Sequence, residues 1–148
     1  VAKTGLLDTH FSLIMADMAL TIPMGVIMLS SFFETVPKEL EEAAKIDGCT
    51  GIGALFRVVL PIAKPGLISV AIYTYIHAWE EFLFALNLST STRTRTLPIA
   101  IHMFAGEFSV DWGSTMAASA VVAFPVLLIF LSCNKYFVKG MADGAVKG

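Results

Sequence analysis

Apolar residues in this chain are gathered into three long blocks separated by polar stretches. The first block runs from Phe11 to Phe33 and holds one charge, Asp17. A helix of that length spans about 34 Å, enough for a hydrocarbon core of about 30 Å. The second block, from about Gly66 to Leu88, is as long but carries His77, Glu80 and Glu81. The third, from about Met116 to Phe137, has no charge before Lys135. Pro23 and Pro125 lie inside blocks, where a membrane helix tolerates them and a water-exposed helix breaks. A helix of a soluble bundle keeps a polar face at 3.6-residue spacing, and Met116 to Phe130 has none. The pattern predicts an all-α polytopic membrane protein with spans at about 11–33, 66–88 and 116–137.

Composition strengthens that reading. The chain of 148 residues is 56% apolar and 15% charged, where soluble domains carry about one quarter charged residues. The net charge of −2 offers no basic excess for nucleic acid. Two distant cysteines, Cys49 and Cys133, provide neither a disulfide framework nor a thiolate metal site. The first ten residues are not basic-then-apolar, so no secretory signal is expected. With Val1 at its start, the chain is expected to be the C-terminal part of a longer protein.

Charge placement predicts orientation. Lys38, Lys45, Arg57 and Lys64 between the first two blocks join Lys135, Lys139 and Lys147 of the tail on one side. Only Lys3, Arg93 and Arg95 fall on the other. The positive-inside tendency places residues 34–64 and the C-terminus in the cytoplasm and residues 89–115 outside.

The 34–64 loop is the most patterned part of the sequence. Pro37 suits the first position of a helix, and Glu39, Glu41 and Glu42 suit its positive end. Asp47-Gly48 is a stop signal, with Gly48 free to take positive φ. Thr50 can cap a second short helix, which Leu60-Pro61 is expected to end. The first helix is acidic and alanine-rich. Helices lying on lipid are usually basic with large apolar residues, so protein docking is the better reading.

Within this loop Glu42-Ala43-Ala44, then Gly48, Val58 and Leu60-Pro61 fall at the spacing of the EAA loop, and the chain resembles ABC-importer permeases. The family pattern has Ile where this chain has Val58. The string Pro37 to Gly48, Trp79-x-Glu81-Phe82, Asp111-Trp112-Gly113 and the terminal Gly144-Ala145-Val146-Lys147-Gly148 are similar to the carbohydrate branch. That branch usually has Asn where this chain has Glu80. The whole set most resembles the C-terminal half of the second membrane subunit of maltose-type importers, a permease of roughly six spans. The resemblance implies one transmembrane permease domain over residues 1–148, in a bacterial or archaeal inner membrane. It implies a cytoplasmic coupling helix, with Glu42, Ala43, Ala44, Gly48, Leu60 and Pro61 engaging an ATP-binding subunit. A second permease subunit and an extracytoplasmic solute-binding protein are the other implied partners, beside membrane lipid. The chain has no GxxxxGK[ST] loop, so no cofactor of its own is expected and ATP hydrolysis falls to the partner ATPase.

The charges of the second block admit several readings. Ionisable groups within a span are costly and mark function by default. His77 and Glu81 share a helical face, Trp79 offers a flat surface to a sugar ring, and carboxylates accept hydrogen bonds from hydroxyls, so His77, Trp79, Glu80 and Glu81 are candidates for a translocation path. Glu81 tying helices together without touching solute stands beside that reading. An ion-coupled secondary transporter using Glu80 and Glu81, or an intramembrane metal-dependent enzyme built on His77, Glu80 and Glu81, are the alternatives; no second ligand cluster accompanies these residues.

Overall fold

The computed structural model describes the backbone of residues 5–104 and 110–145, and side chains as far as Ser132. Lys3, residues 105–109 and residues 146–148 lie outside the described residues, as do the side chains of Cys133, Lys135 and Lys139. The fold is all-α. In order it comprises α1 (His10–Phe33), α2 (Lys38–Ile46), α3 (Gly51–Ala54), a π-helical turn (Leu55–Val59), α4 (Leu60–Ile62), α5 (Lys64–Glu80), α6 (Leu83–Leu88), α7 (Leu97–His102) and α8 (Trp112–Ala145). Two compact units share the chain. One is formed by residues 1–22 and 74–131, the other by residues 23–73 and 132–148.

Burial in this molecule runs opposite to that of a water-soluble domain. The buried apolar side chains among the described residues are small or medium: Ala44, Ala54, Ala63, Ile72, Ala85 and Ile99. They are joined by buried Ser12, Thr21, Ser69 and Thr94. Large apolar side chains such as Phe11, Ile14, Met18, Val26, Val121, Phe124 and Leu131 face outward. No residue of α8 as far as Ser132 is buried. Exposed large hydrophobes on helices of 24 and 34 residues are stable in lipid, not in water. The hydroxyls obey the same solvent. Thr21, Ser31, Ser69 and Ser119 each donate to the carbonyl four residues back, so these four hydroxyls are not left open to hydrocarbon. Among the described residues two helices, His10–Phe33 and Trp112–Ser132, are long and apolar enough to cross a membrane, or three where the bent pair Gly51–Ile62 and Lys64–Glu80 counts as one span.

The second apolar block does not form one helix. α5 ends at Glu80 after 17 residues, a rod of about 25 Å. Phe82 leaves the helical region at φ −120°, and a six-residue α6 follows. At its start α5 meets the segment Gly51–Ile62 at a bend of 75°.

In the second unit α1 and α5 approach closely. Gly66 faces the Phe32 ring so tightly that a β-carbon there would lie 2.3 Å from Cγ. Gly25 stands 3.4 Å, on the same measure, from Val70 Cγ1. Small residues at a crossing let backbones come together, which is how helices associate where lipid removes the hydrophobic drive.

The helical segment before α5 also departs from expectation. Leu60-Pro61 does not end it. Leu60 is helical (φ −61°, ψ −42°), the helix continues to Ile62, and Ala63 is the terminating residue. Leu60 donates to the carbonyl of Leu55, five residues back, so the bonding ladder has already slipped by one position before it reaches the proline. The wide π-turn thus absorbs the disruption that Pro61 would otherwise cause.

Candidate functional site

The loop between α1 and α5 is built from a helix stop and a helix start set back to back. At the end of α2 the Gly48 N–H donates to Lys45 O and the Cys49 N–H to Ala44 O, both at 3.0 Å. These two bonds make a Schellman turn, which needs a left-handed residue at its corner. Gly48 supplies it at φ +86°, and a β-carbon there would meet nothing within 4 Å, so conformation rather than space demands glycine. Two residues on, the Thr50 hydroxyl accepts from the Gly53 N–H at 3.1 Å and opens α3. Local hydrogen bonds thus fix the turn between α2 and α3, where Ala44 and Ala54 are buried.

What this corner presents outward is apolar as well as acidic. Ile46 is 86% exposed, Ile52 73% and Phe56 65%. Glu42 and Ala43 are exposed, whereas Ala44 is buried within the loop. Leu60 is half-buried and Pro61 exposed in α4. The candidates Glu42, Ala43, Ala44 and Gly48 therefore lie on or at the end of α2, with Leu60 and Pro61 two helical pieces later. An exposed ion pair joins Lys45 Nζ to Glu41 Oε1 at 2.6 Å. It lowers the Glu41 carboxyl and raises the Lys45 ammonium from their ordinary values, first through the hydrogen bond and then through charge attraction. Such an exposed i,i+4 pair adds little stability.

The second group of candidates surrounds the end of α5. The Trp79 indole N–H donates to the Val122 carbonyl of α8 at 3.1 Å. Tyr75 stacks on the indole with ring centres 5.5 Å apart. Trp79 and Glu80 line a cavity of about 570 Å³ whose other walls include Pro98, Ile101, Ser119 and Phe130. Glu81 is engaged differently. Its Oε1 accepts from the Phe84 N–H at 2.6 Å and its Oε2 from the Ala85 N–H at 2.8 Å. His77 is exposed on α5. Among the described residues no three His, Cys, Asp or Glu side chains come together as a metal-ligand set. The structure thus brings Trp79 and Glu80 to one cavity and assigns the Glu81 carboxylate to backbone groups.

Two carboxylates with clear structural roles escaped the sequence reading. Asp8 sits at φ +60° and its Oδ1 accepts from the N–H groups of Thr90 (3.0 Å) and Ser91 (2.8 Å) and from the Thr94 hydroxyl. Its own N–H donates to Leu88 O at 2.8 Å, tying the segment before α1 to the start of the 89–96 loop. Hydrogen bonds from Ser91 and Thr94 hold its carboxyl far below the usual carboxylate range. Asp111 caps α8 by accepting from the Ser114 N–H at 3.1 Å, and hydrogen bonding by Ser114, through its side chain first and its backbone second, lowers the Asp111 carboxyl. An aspartate three residues before a serine at a helix start is a readable signal for Asp111. Asp8 gave none, because its partners are more than eighty residues away.

The fold and this site define a class: an all-α, multi-pass membrane protein carrying a helix–turn–helix in sequence between its apolar helices α1 and α5. The chain belongs to the family described as the binding-protein-dependent transport system inner membrane component, which matches residues 3–143. It is similar to the probable ABC transporter permease protein YurM of Bacillus subtilis, with 40% identity over 148 residues, all of this chain and 49% of that protein. The sulfoquinovosyl glycerol transport system permease protein SmoH of Agrobacterium fabrum is 41% identical over 97% of this chain and 50% of its own length. The trehalose/maltose transport system permease protein MalG of Thermococcus litoralis is 40% identical over all of this chain and 54% of its own length. The chain spans about half the length of the curated relatives it matches.

Proposed function

We propose that the full protein is the membrane-spanning permease subunit of an ATP-driven importer for sugars or related polyols. The observation that carries this reading is the α2–Gly48–α3 corner, held by local hydrogen bonds, with Ile46, Ile52 and Phe56 turned outward beside the exposed Glu42 and Ala43. A rigid corner bearing exposed apolar side chains suits a protein partner that must push and pull on it. Relatives named for trehalose/maltose and sulfoquinovosyl glycerol transport support the substrate class.

In this reading the corner lies in the cytoplasm, as does the C-terminus, and sits in a groove of a separate ATP-binding subunit. Glu42 pairs with a basic group there, while the apolar residues fill the groove. ATP binding closes the ATPase pair and carries the corner with it. Because the Schellman turn and the Thr50 cap leave little play, displacement passes to the chain on either side instead of being lost in the loop. The membrane helices then alternate between outward and inward access. A second permease subunit completes the path, and an extracytoplasmic solute-binding protein delivers the solute. Trp79 and Glu80 are the residues proposed to face that path.

The test is uptake by the full-length protein, reconstituted with the ATP-binding subunit, second permease and binding protein encoded beside it. Labelled trehalose, maltose and a sugar glycerol conjugate are offered with ATP inside the vesicles. ATP-dependent accumulation of one of them is expected. Accumulation driven by a proton gradient without ATP, or failure of any ATPase to co-purify, would overturn the proposal.

A further inference from the structure

The second apolar block contains adjacent glutamates, and the structure sends them to different tasks. A helix that stops inside an apolar block exposes backbone donors, and in hydrocarbon each must find a partner. The break after Glu80 leaves the first N–H groups of α6 in that position. Both oxygens of Glu81 meet them, one on Phe84 N–H and one on Ala85 N–H. A carboxylate is the acceptor best suited to this place, since it can serve two donors at once and sits at the positive end of the short helix. Ala85, one of the two residues served, is fully buried, so water is not at hand as a replacement.

The residues just before the break occupy the cavity wall. Trp79 is fixed there by its bond to Val122 and by the Tyr75 ring, and Glu80 is the last residue of α5. Glu80 lines the cavity together with Trp79, whereas Glu81 is not among the lining residues. The point at which α5 stops therefore decides which side chains reach the cavity. Were α5 to run on without a break, the unpaired donors would vanish and Trp79 and Glu80 would lie mid-helix, free to turn with it.

We propose that Glu81 is a positioning residue: its carboxylate holds the break between α5 and α6, and so holds Trp79 and Glu80 at the cavity, while making no contact with solute. The role in uptake rests on the transport reading above. The effect on Trp79 does not.

The experiment uses the full-length protein, assembled with its partners, in two arms. In the first, Trp79 emission is isolated as the difference between each protein and its Trp79→Phe counterpart, and acrylamide quenching is measured. Glu81→Ala is expected to raise quenching at least about twofold and shift the emission. Glu81→Gln, which keeps one acceptor, should fall between, and Glu80→Gln should leave both readings unchanged. If Glu81→Ala fails to assemble, the graded response of Glu81→Gln decides. In the second arm uptake is measured. Losing the cap is expected to lower the maximal rate about tenfold with KM changed less than twofold, whereas Glu80→Gln is expected to alter KM. Trp79 signals identical in Glu81→Gln, Glu81→Ala and the parent would overturn the proposal, as would a Glu81→Gln protein whose KM rises tenfold at unchanged maximal rate. Absence of uptake in the parent protein would count against the transport reading alone, since the fluorescence arm needs neither solute nor ATP.

Discussion

Replacing Gly66 with alanine puts a methyl group into space that Phe32 already fills. The added β-carbon would lie 2.3 Å from Phe32 Cγ, 2.5 Å from Cδ2 and 2.6 Å from Cβ. Rotating the ring can move the first two atoms. The third is fixed to the α1 backbone, so the helices themselves must separate, by about 1 Å, to restore ordinary carbon contact. Overpacking of this kind costs about 1–3 kcal/mol. At about 1.4 kcal/mol per factor of ten, the folded population relative to unfolded should fall roughly five- to 150-fold. The assay is equilibrium unfolding of the full-length protein in mixed micelles, followed by circular dichroism. Gly51→Ala is the control, because a β-carbon there meets nothing within 4 Å. Phe32→Ala removes two of the three clashing atoms but keeps Cβ, so the double variant should recover part of the loss and not all of it. A Gly66→Ala protein within 0.5 kcal/mol (about the scatter of surface substitutions) of its parent would refute the close approach of α1 and α5.

Three further outcomes are expected. Glu42→Lys and Gly48→Asp should each abolish ATP-driven uptake while the protein still inserts in the membrane; the second forces a side chain into φ +86°, at about 1–2 kcal/mol of backbone strain. Full uptake by both variants would count against the coupling role. Asp8, held ionised by Ser91 and Thr94, contributes stability that is complete above its unfolded value near pH 4. That contribution declines as pH falls toward the depressed folded value, so melting curves between pH 3 and 6 should show a weaker acid dependence in Asp8→Asn than in the parent. Thr50→Ala removes the acceptor of the Gly53 N–H and should cost about 1 kcal/mol, read as faster hydrogen exchange at Gly53; unchanged exchange would exclude the cap.

Local chemistry was the legible part of this molecule. The positive φ of Gly48, the Thr50 cap and the outward face of α8 all follow from near neighbours in the chain, and each depends on hydrogen bonds or spacing within a few residues. The end of the loop segment was misplaced because proline's rule assumes a regular α-helix, and a π-turn had already changed the ladder. Glu81 is ambiguous in sequence for a related reason. A carboxylate in an apolar block looks the same in sequence whether it meets solute or backbone.

Apolar blocks, their lengths and the absence of a polar face determined from sequence alone that this chain lives in lipid, because solvent preference is a sum over residues and needs no coordinates. Tertiary structure alone decided that Trp79 pairs with Val122, that Asp8 reaches Thr90 and Thr94, and that Gly66 rests on Phe32. Those contacts join residues 34 to 86 positions apart, and their energies depend on tenths of an ångström that no local pattern encodes.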